Sequence, residues 1–148
     1  MPDAPRPSES PLQRVAVSID IDAELEAVYG RWIPRNFPVF ILGVQEVREI
    51  DSTHLHWRAE IWGHYAEWDA EILTQIPNQR IAWRSVTGPP VSGAIDFADL
   101  GGQRTRVTLA MEFEAPEIAE EEIAAITSRT SGDLDRFRRF VEARHPPR

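Results

Sequence analysis

The chain has 148 residues, 42% of them hydrophobic and 27% charged, and a formal net charge of −8. That length suits one domain with a real core, and the negative balance argues against nucleic acid or an anionic membrane as main partner. All sixteen basic residues are Arg and Cys is absent, which excludes Schiff-base lysine chemistry, cysteine nucleophiles, disulfides and thiolate metal sites.

Residues 1–12, with Pro2, Pro5, Pro7 and Pro11, read as a disordered proline-rich lead to a single domain over 13–145. They hold no apolar signal core, and no run approaches the ~20 apolar residues that span a bilayer. A cytoplasmic protein without stable membrane insertion is expected. Arg14–Asp20 alternates at Val15, Val17 and Ile19, as a strand does. Asp22 is placed to cap a helix over 23–33 that carries Leu25, Val28, Tyr29 and Trp32 on one face. Pro34 and Pro38 end it and leave room only for a short second helix. Val44, Val47 and Ile50 then predict a strand of imperfect alternation.

Two fault-free alternating runs follow, Leu55–Ile61 and Ala66–Ile72, the pattern of an antiparallel hairpin with one dry and one wet face. A Gly63-His64 loop would set Trp57 against Ala70 and Ala59 against Trp68 on the dry face. It would also set Arg58 against Asp69 and His56 against Glu71 on the wet face. A turn at Pro77–Arg80 would set Thr74 against Trp83. Ile95 and Phe97 belong to the next strand. After the Leu100–Gln103 turn, Thr105–Phe113 forms the last strand, apolar mostly at odd positions. Beyond Pro116, acids precede Ile123 and Ile126, and Leu134, Phe137, Phe140 and Val141 form a helical stripe ending among arginines, as the helix dipole favours. A single long helix tolerating Gly132 is the favoured reading over two helices. The economical architecture is α+β, a curved antiparallel sheet with one long C-terminal helix across its concave side.

The pattern resembles the polyketide cyclase/dehydrase-like branch of the START-type helix-grip (SRPBCC) superfamily. The matching pieces include Val28-Tyr29 through Trp32, Phe37-Pro38-Val39-Phe40 and Leu55–Ala59. They continue in Glu67–Ile72, Arg80–Ser85, Gly93–Phe97, Arg104–Leu109 and Asp133–Phe137. The resemblance implies about seven strands wrapped around the C-terminal helix. The wider superfamily includes aromatases, lipid and hormone binders and quinone-binding proteins. Aromatase/cyclases of this kind line their cavity with an arginine and hydroxyl groups.

The hairpin register sends Arg58, Glu60, Asp69, Glu71 and Arg84 outward. Inward it sends Trp57, Ile61, Trp68, Ile72, Thr74 and Trp83, joined by Leu109 and Met111 from the last strand. With Phe97 and Phe137, these are the expected ligand-binding residues. A mostly apolar hollow with few hydroxyls suits a small hydrophobic molecule, aromatic or polyketide-like, held between sheet and helix. The rival reading is an aromatase/cyclase acting on a poly-β-ketone, with Tyr29, Tyr65, His64 and Ser85 as polar participants. A third is an interaction protein without a cavity. His54 and His56 share a strand face but lack a third ligand, so neither a metal site nor a cofactor is expected. The arginines at 136–139 read as a wet helix face, or, more sharply, as a docking surface for an acidic carrier protein. The sequence leaves the oligomeric state open.

Overall fold

The computed structural model describes residues 12–61, 63–88, 90–114 and 120–144. The lead over 1–11, Pro116 and the first acid of the following run, Glu117, lie outside the described residues. Seven antiparallel strands form one sheet in the order β1-β7-β6-β5-β4-β3-β2. They are β1 (Leu12–Ile21), β2 (Val44–Glu49), β3 (His54–Ile61), β4 (His64–Ile76), β5 (Arg80–Ser85), β6 (Val91–Gly101) and β7 (Arg104–Glu114). Between β1 and β2 lie α1 (Leu25–Arg31), a 3-10 turn at Pro34–Asn36 and the short α2 (Phe37–Phe40). One unbroken helix, α3 (Glu120–Arg144), follows the sheet and passes through Gly132. The α+β helix-grip architecture is the one expected.

Each pairing along the sheet is between neighbours except β1 with β7, which joins the two ends of the chain. Three bulges, at Gln45, Leu73 and Leu100, interrupt the ladders. A bulge adds a residue to one strand, bends it and increases its twist, and these curve the sheet toward α3. The bulge at Gln45 explains the imperfect alternation of β2, where Val44 and Val47 are both buried. Ile50 was expected among them but lies past the strand end and is exposed.

The core is closed by the stripe of α3. Leu134, Phe137 and Val141 have no exposure, and neither do Ile21, Val28, Ile95 and Val107 facing them in the same cluster. Around Phe137 the rings of Trp32 and Phe40 stand 5.1 and 4.8 Å away between centroids. Helix α1 is shorter than the 23–33 expected. Its first turn is capped at Glu24 without a side-chain bond. Asp22 instead accepts from Arg104 Nε at 3.2 Å, while its own N–H donates to Glu142 of α3 at 2.9 Å. Competition from these long-range partners moves the helix start.

The hairpin keeps its two faces but not the expected partners. The ladder closes with Ile61 opposite His64, and Gly63 takes φ +78° in the turn, a conformation only Gly adopts cheaply. Relative to a Gly63-His64 loop this slides the register by two residues, so every side chain keeps its face. Trp57 therefore opposes Trp68, and Leu55 opposes Ala70. On the wet side Arg58 opposes Glu67 and His56 opposes Asp69. The next turn is Pro77–Gln79, setting Ile76 against Arg80, and the Leu73 bulge then brings Ile72 opposite Trp83.

Candidate functional site

Between the sheet and the N-terminal half of the described α3 lies a cavity of about 330 Å³. Its walls come from inward residues of five strands: Trp57, Trp68 and Ala70, Trp83 and Ser85, Val91, Leu109 and Met111. Thr130 and Asp133 of α3 and Ile41 after α2 close it. A second cavity of about 250 Å³ opens beside it, toward the β2–β3 turn and the 3-10 turn, where Asp51, Ser52, Ile33 and Pro34 form the rim. Trp32, Trp57, Ala70 and Trp83 line both.

The indoles are held differently. Trp57 stacks with two rings, Phe37 at 5.4 Å and 20° and Trp68 at 5.7 Å and 10°. Its Nε1 is buried and has no hydrogen-bond partner among the described residues. Trp83 lies flat over Gly93, its register partner. A Cβ there would sit 2.5 Å from the Trp83 ring, so only Gly permits that approach.

Polar groups in the larger cavity are few. Ser85 Oγ accepts the Val91 N–H at 3.0 Å, tying the end of β5 to the start of β6. Thr130 Oγ1 donates to the Ile126 carbonyl at 2.8 Å within the helix. Asp133 is the one ionisable residue of this lining. Its carboxylate accepts the Leu42 N–H at 3.0 Å and pairs with Arg136. Arg136 in turn donates from Nε to the Phe40 carbonyl at 3.0 Å, and Arg129 donates to the Leu42 carbonyl. These three side chains of α3 fasten the 40–42 segment that seats Ile41 in the wall.

The wet face of the hairpin carries a separate polar array. His56 Nδ1 lies 2.6 Å from Asp69 and Nε2 lies 3.2 Å from Glu67. Both hydrogen bonds, Asp69 first, raise its pKa above the ordinary imidazole value. His54 is raised in the same way by Asp51. The Thr53 N–H and then His54 hold the Asp51 carboxyl down at about 2. Arg84 meets Glu71 at 2.9 Å and Arg58 approaches Glu46 at 3.5 Å. No group of three metal-binding side chains occurs among the described residues.

Of the expected binding residues, Trp57, Trp68, Trp83, Leu109 and Met111 line the larger cavity, and Ile72 lines the smaller. Phe97 and Phe137 are packed in the core, 6% and 0% exposed, and line neither. Thr74 opposes Ala82 rather than Trp83, because the turn before β5 has three residues, and the Leu73 bulge puts it on the face opposite Ile72. Ile61 lies in β3, but its side chain is outside the described residues. The four polar candidates do not meet at one point. Ser85 is on the cavity wall, and His64 and Tyr65 are exposed at the hairpin tip, Tyr65 by 57%. Tyr29 packs edge-on to Phe97 at 5.3 Å and its hydroxyl accepts from Gln75 at 3.2 Å. Sequence reasoning missed Thr130 and Asp133. Their signals mimic other things: Thr130-Ser131 reads as a helix start, and Asp133 three residues before Arg136 reads as a surface ion pair.

An antiparallel sheet gripping a long helix, with an aromatic-walled hollow between them, is a START-like helix-grip fold. A START superfamily protein from Mycobacterium smegmatis superposes with a TM-score of 0.67 at 13% identity, over 88% of this chain and 95% of that one. The chain belongs to the family of polyketide cyclase / dehydrase and lipid transport proteins, whose model matches residues 21–132. An uncharacterised 17.2 kDa protein from the melC2-rnhH intergenic region of Streptomyces lincolnensis is 33% identical over 138 residues, 90% of this chain and 92% of that protein. The Zhui aromatase/cyclase from Streptomyces sp. R1128 superposes with a TM-score of 0.74 at 17% identity, over 90% of this chain and 95% of that one. No described helix is long and apolar enough to cross a membrane.

Proposed function

We propose that the protein binds a small, flat, hydrophobic molecule, aromatic or polyketide-like, between the sheet and α3. The observation that carries this is the 330 Å³ cavity walled by indoles and aliphatic side chains. Small-molecule sites are built this way, with an apolar lining and a few polar groups that orient the guest. Here those groups are Ser85, Thr130 and Asp133. Family membership supports the same class of ligand. An acidic carrier protein delivering the molecule to the α3 arginines would have to compete with their present partners, since Arg138 and Arg139 pair with Asp135.

Turnover is the second reading, supported by the fold shared with an aromatase/cyclase. A cyclase step needs a group that moves a proton at an enolising ketone and donors for the oxyanion. The Asp133 carboxylate and the Ser85 and Thr130 hydroxyls are the wall groups able to serve, and Tyr65 and His64 stand too far out.

Titration of the intrinsic tryptophan fluorescence with a panel of flavonoids, quinones and fatty acids tests the binding reading. Saturable quenching by flat aromatics is expected. No saturable response to any member of the panel overturns it. Product formation from a poly-β-ketone, lowered in Ser85→Ala and Asp133→Asn, would establish turnover.

A further inference from the structure

The two cavities share a wall, and one member of that wall is held more loosely than the others. Trp57 stacks with both Phe37 and Trp68. Trp32 contacts the rings of Phe37, Phe40 and Phe137 at 5.1–5.4 Å. Ala70 is backbone and a methyl. Among the described residues no aromatic ring packs against Trp83, which rests on the bare backbone of Gly93. Volume points the same way. At about 330 and 250 Å³, the chambers taken singly sit at or below the low end of the ~300–1,000 Å³ usual for ligand sites. Joined, they fall well within that range.

We propose that the two chambers are halves of one site for an elongated apolar ligand of more than two rings, with the Trp83 indole as the movable partition between them. The inference rests on the binding reading above and adds the ligand's length and the residue that controls it. Gly93 is then a positioning residue: its missing side chain lets the indole lie flat on β6. Alanine at 93 would place a methyl inside the indole's present envelope and drive the ring off the strand into the passage. The ligand would make its polar contacts at the two far ends, Asp133 and Thr130 in one chamber and Gln75 in the other.

The test compares two uncharged probes by their own emission, 1-naphthylamine, which fits one chamber, and N-phenyl-1-naphthylamine, which needs both. In Gly93→Ala the longer probe should weaken by about tenfold and the shorter by less than about threefold. Adding Trp83→Leu to that variant should restore the longer probe. Trp83→Leu alone should raise the long-to-short affinity ratio by about threefold or more. Equal weakening of both probes in Gly93→Ala, or no restoration in the double variant, overturns the proposal. If Gly93→Ala fails to fold, Trp83→Leu decides: a ratio unchanged or lowered overturns it. Failure of both probes on the unaltered protein removes the binding reading itself, a distinguishable result.

Discussion

The two ends of α3 face opposite kinds of interior. Toward its C-terminus, Leu134, Phe137 and Val141 share the core cluster with Ile95, Val107 and Val28, all without exposure. Toward its N-terminus, Thr130 and Asp133 overlook a hollow walled by Trp57, Trp68 and Trp83, which are only partly buried. The same sheet serves both. At the closed end, small and medium side chains interdigitate with the helix. At the open end, Trp57 and Trp68 stack on each other, Trp83 rests on a glycine, and a hollow remains beside the helix. Stability is concentrated where the interior is filled, and room for a guest is left where it is not.

The largest expected effect tests the closed end. Phe137→Ala removes a ring surrounded by Trp32 and Phe40 and should destabilise the fold by about 3–5 kcal/mol in chemical denaturation. A loss below ~1 kcal/mol would mean that the closed end is not the stabilising one.

The next contrast uses one substitution in two places. Ala59 and Ala70 both face inward from adjacent strands, at 0% and 3% exposure, but Ala70 borders both cavities and Ala59 borders neither. Ala59→Leu should overpack and cost about 1–3 kcal/mol. Ala70→Leu has empty space ahead of it. It should cost under ~1 kcal/mol and weaken probe binding by about a hundredfold. Equal costs at the two sites would erase the distinction between filled and hollow interior.

Faces proved easier to read than partners. Alternation in Leu55–Ile61 and Ala66–Ile72 separates the indoles from the charges whatever the loop, because a two-residue slide leaves every side chain on its side. Which residue meets which depends on the turn. There, closing the ladder with Ile61 opposite His64 rather than Ala66 moves every pairing by two residues. Thr74 was misplaced because nothing local marks Leu73 as a bulge; the bulge serves the curvature of the whole sheet. Phe97 and Phe137 are apolar and inward, as expected, yet how far the helix stands off the strands is a tertiary property that periodicity does not carry. The long C-terminal helix was legible from its stripe, but Asp133 was not legible as a wall residue. Its bond to the Leu42 N–H joins positions 91 residues apart.

Behind the hollow, the wet face of the hairpin gives a pH-dependent effect of intermediate size. His54 and His56 gain carboxylate partners on folding, and their pKa values rise. A raised imidazole contributes stability that is fully present below its unfolded value of ~6.5 and fades as pH climbs through the folded value. Asp51 is lowered to about 2 by the Thr53 N–H and then His54, and Glu67 is lowered by His56 and then Tyr65. Their contribution is present above ~4 and is lost as pH falls. The array therefore stabilises most between about pH 4.5 and 6.5. The melting-temperature deficit of His56→Gln should be larger at about pH 5.5 than at about pH 8.5. A larger deficit at the alkaline pH would contradict the assignment of Asp69 and Glu67 as its partners.

The smallest effect belongs to the outer surface behind the closed end. Arg80 donates from one Nη to both carboxylate oxygens of Asp96 at 2.8 Å, on neighbouring strands β5 and β6. Both side chains are nearly half exposed, 44% and 45%. Water screens such a pair, and holding two mobile side chains together costs entropy that offsets much of the attraction. Arg80→Ala should therefore cost no more than ~0.2–1 kcal/mol, with the difference shrinking in molar salt. The Ile95 and Phe97 side chains that flank Asp96 in sequence point the other way, into the core, so a loss above ~2 kcal/mol would mean that the substitution had disturbed the packing beneath. In that event the closed end would depend on its wet face as well as its dry one, and the contrast between the two ends of α3 would no longer rest on interior packing alone.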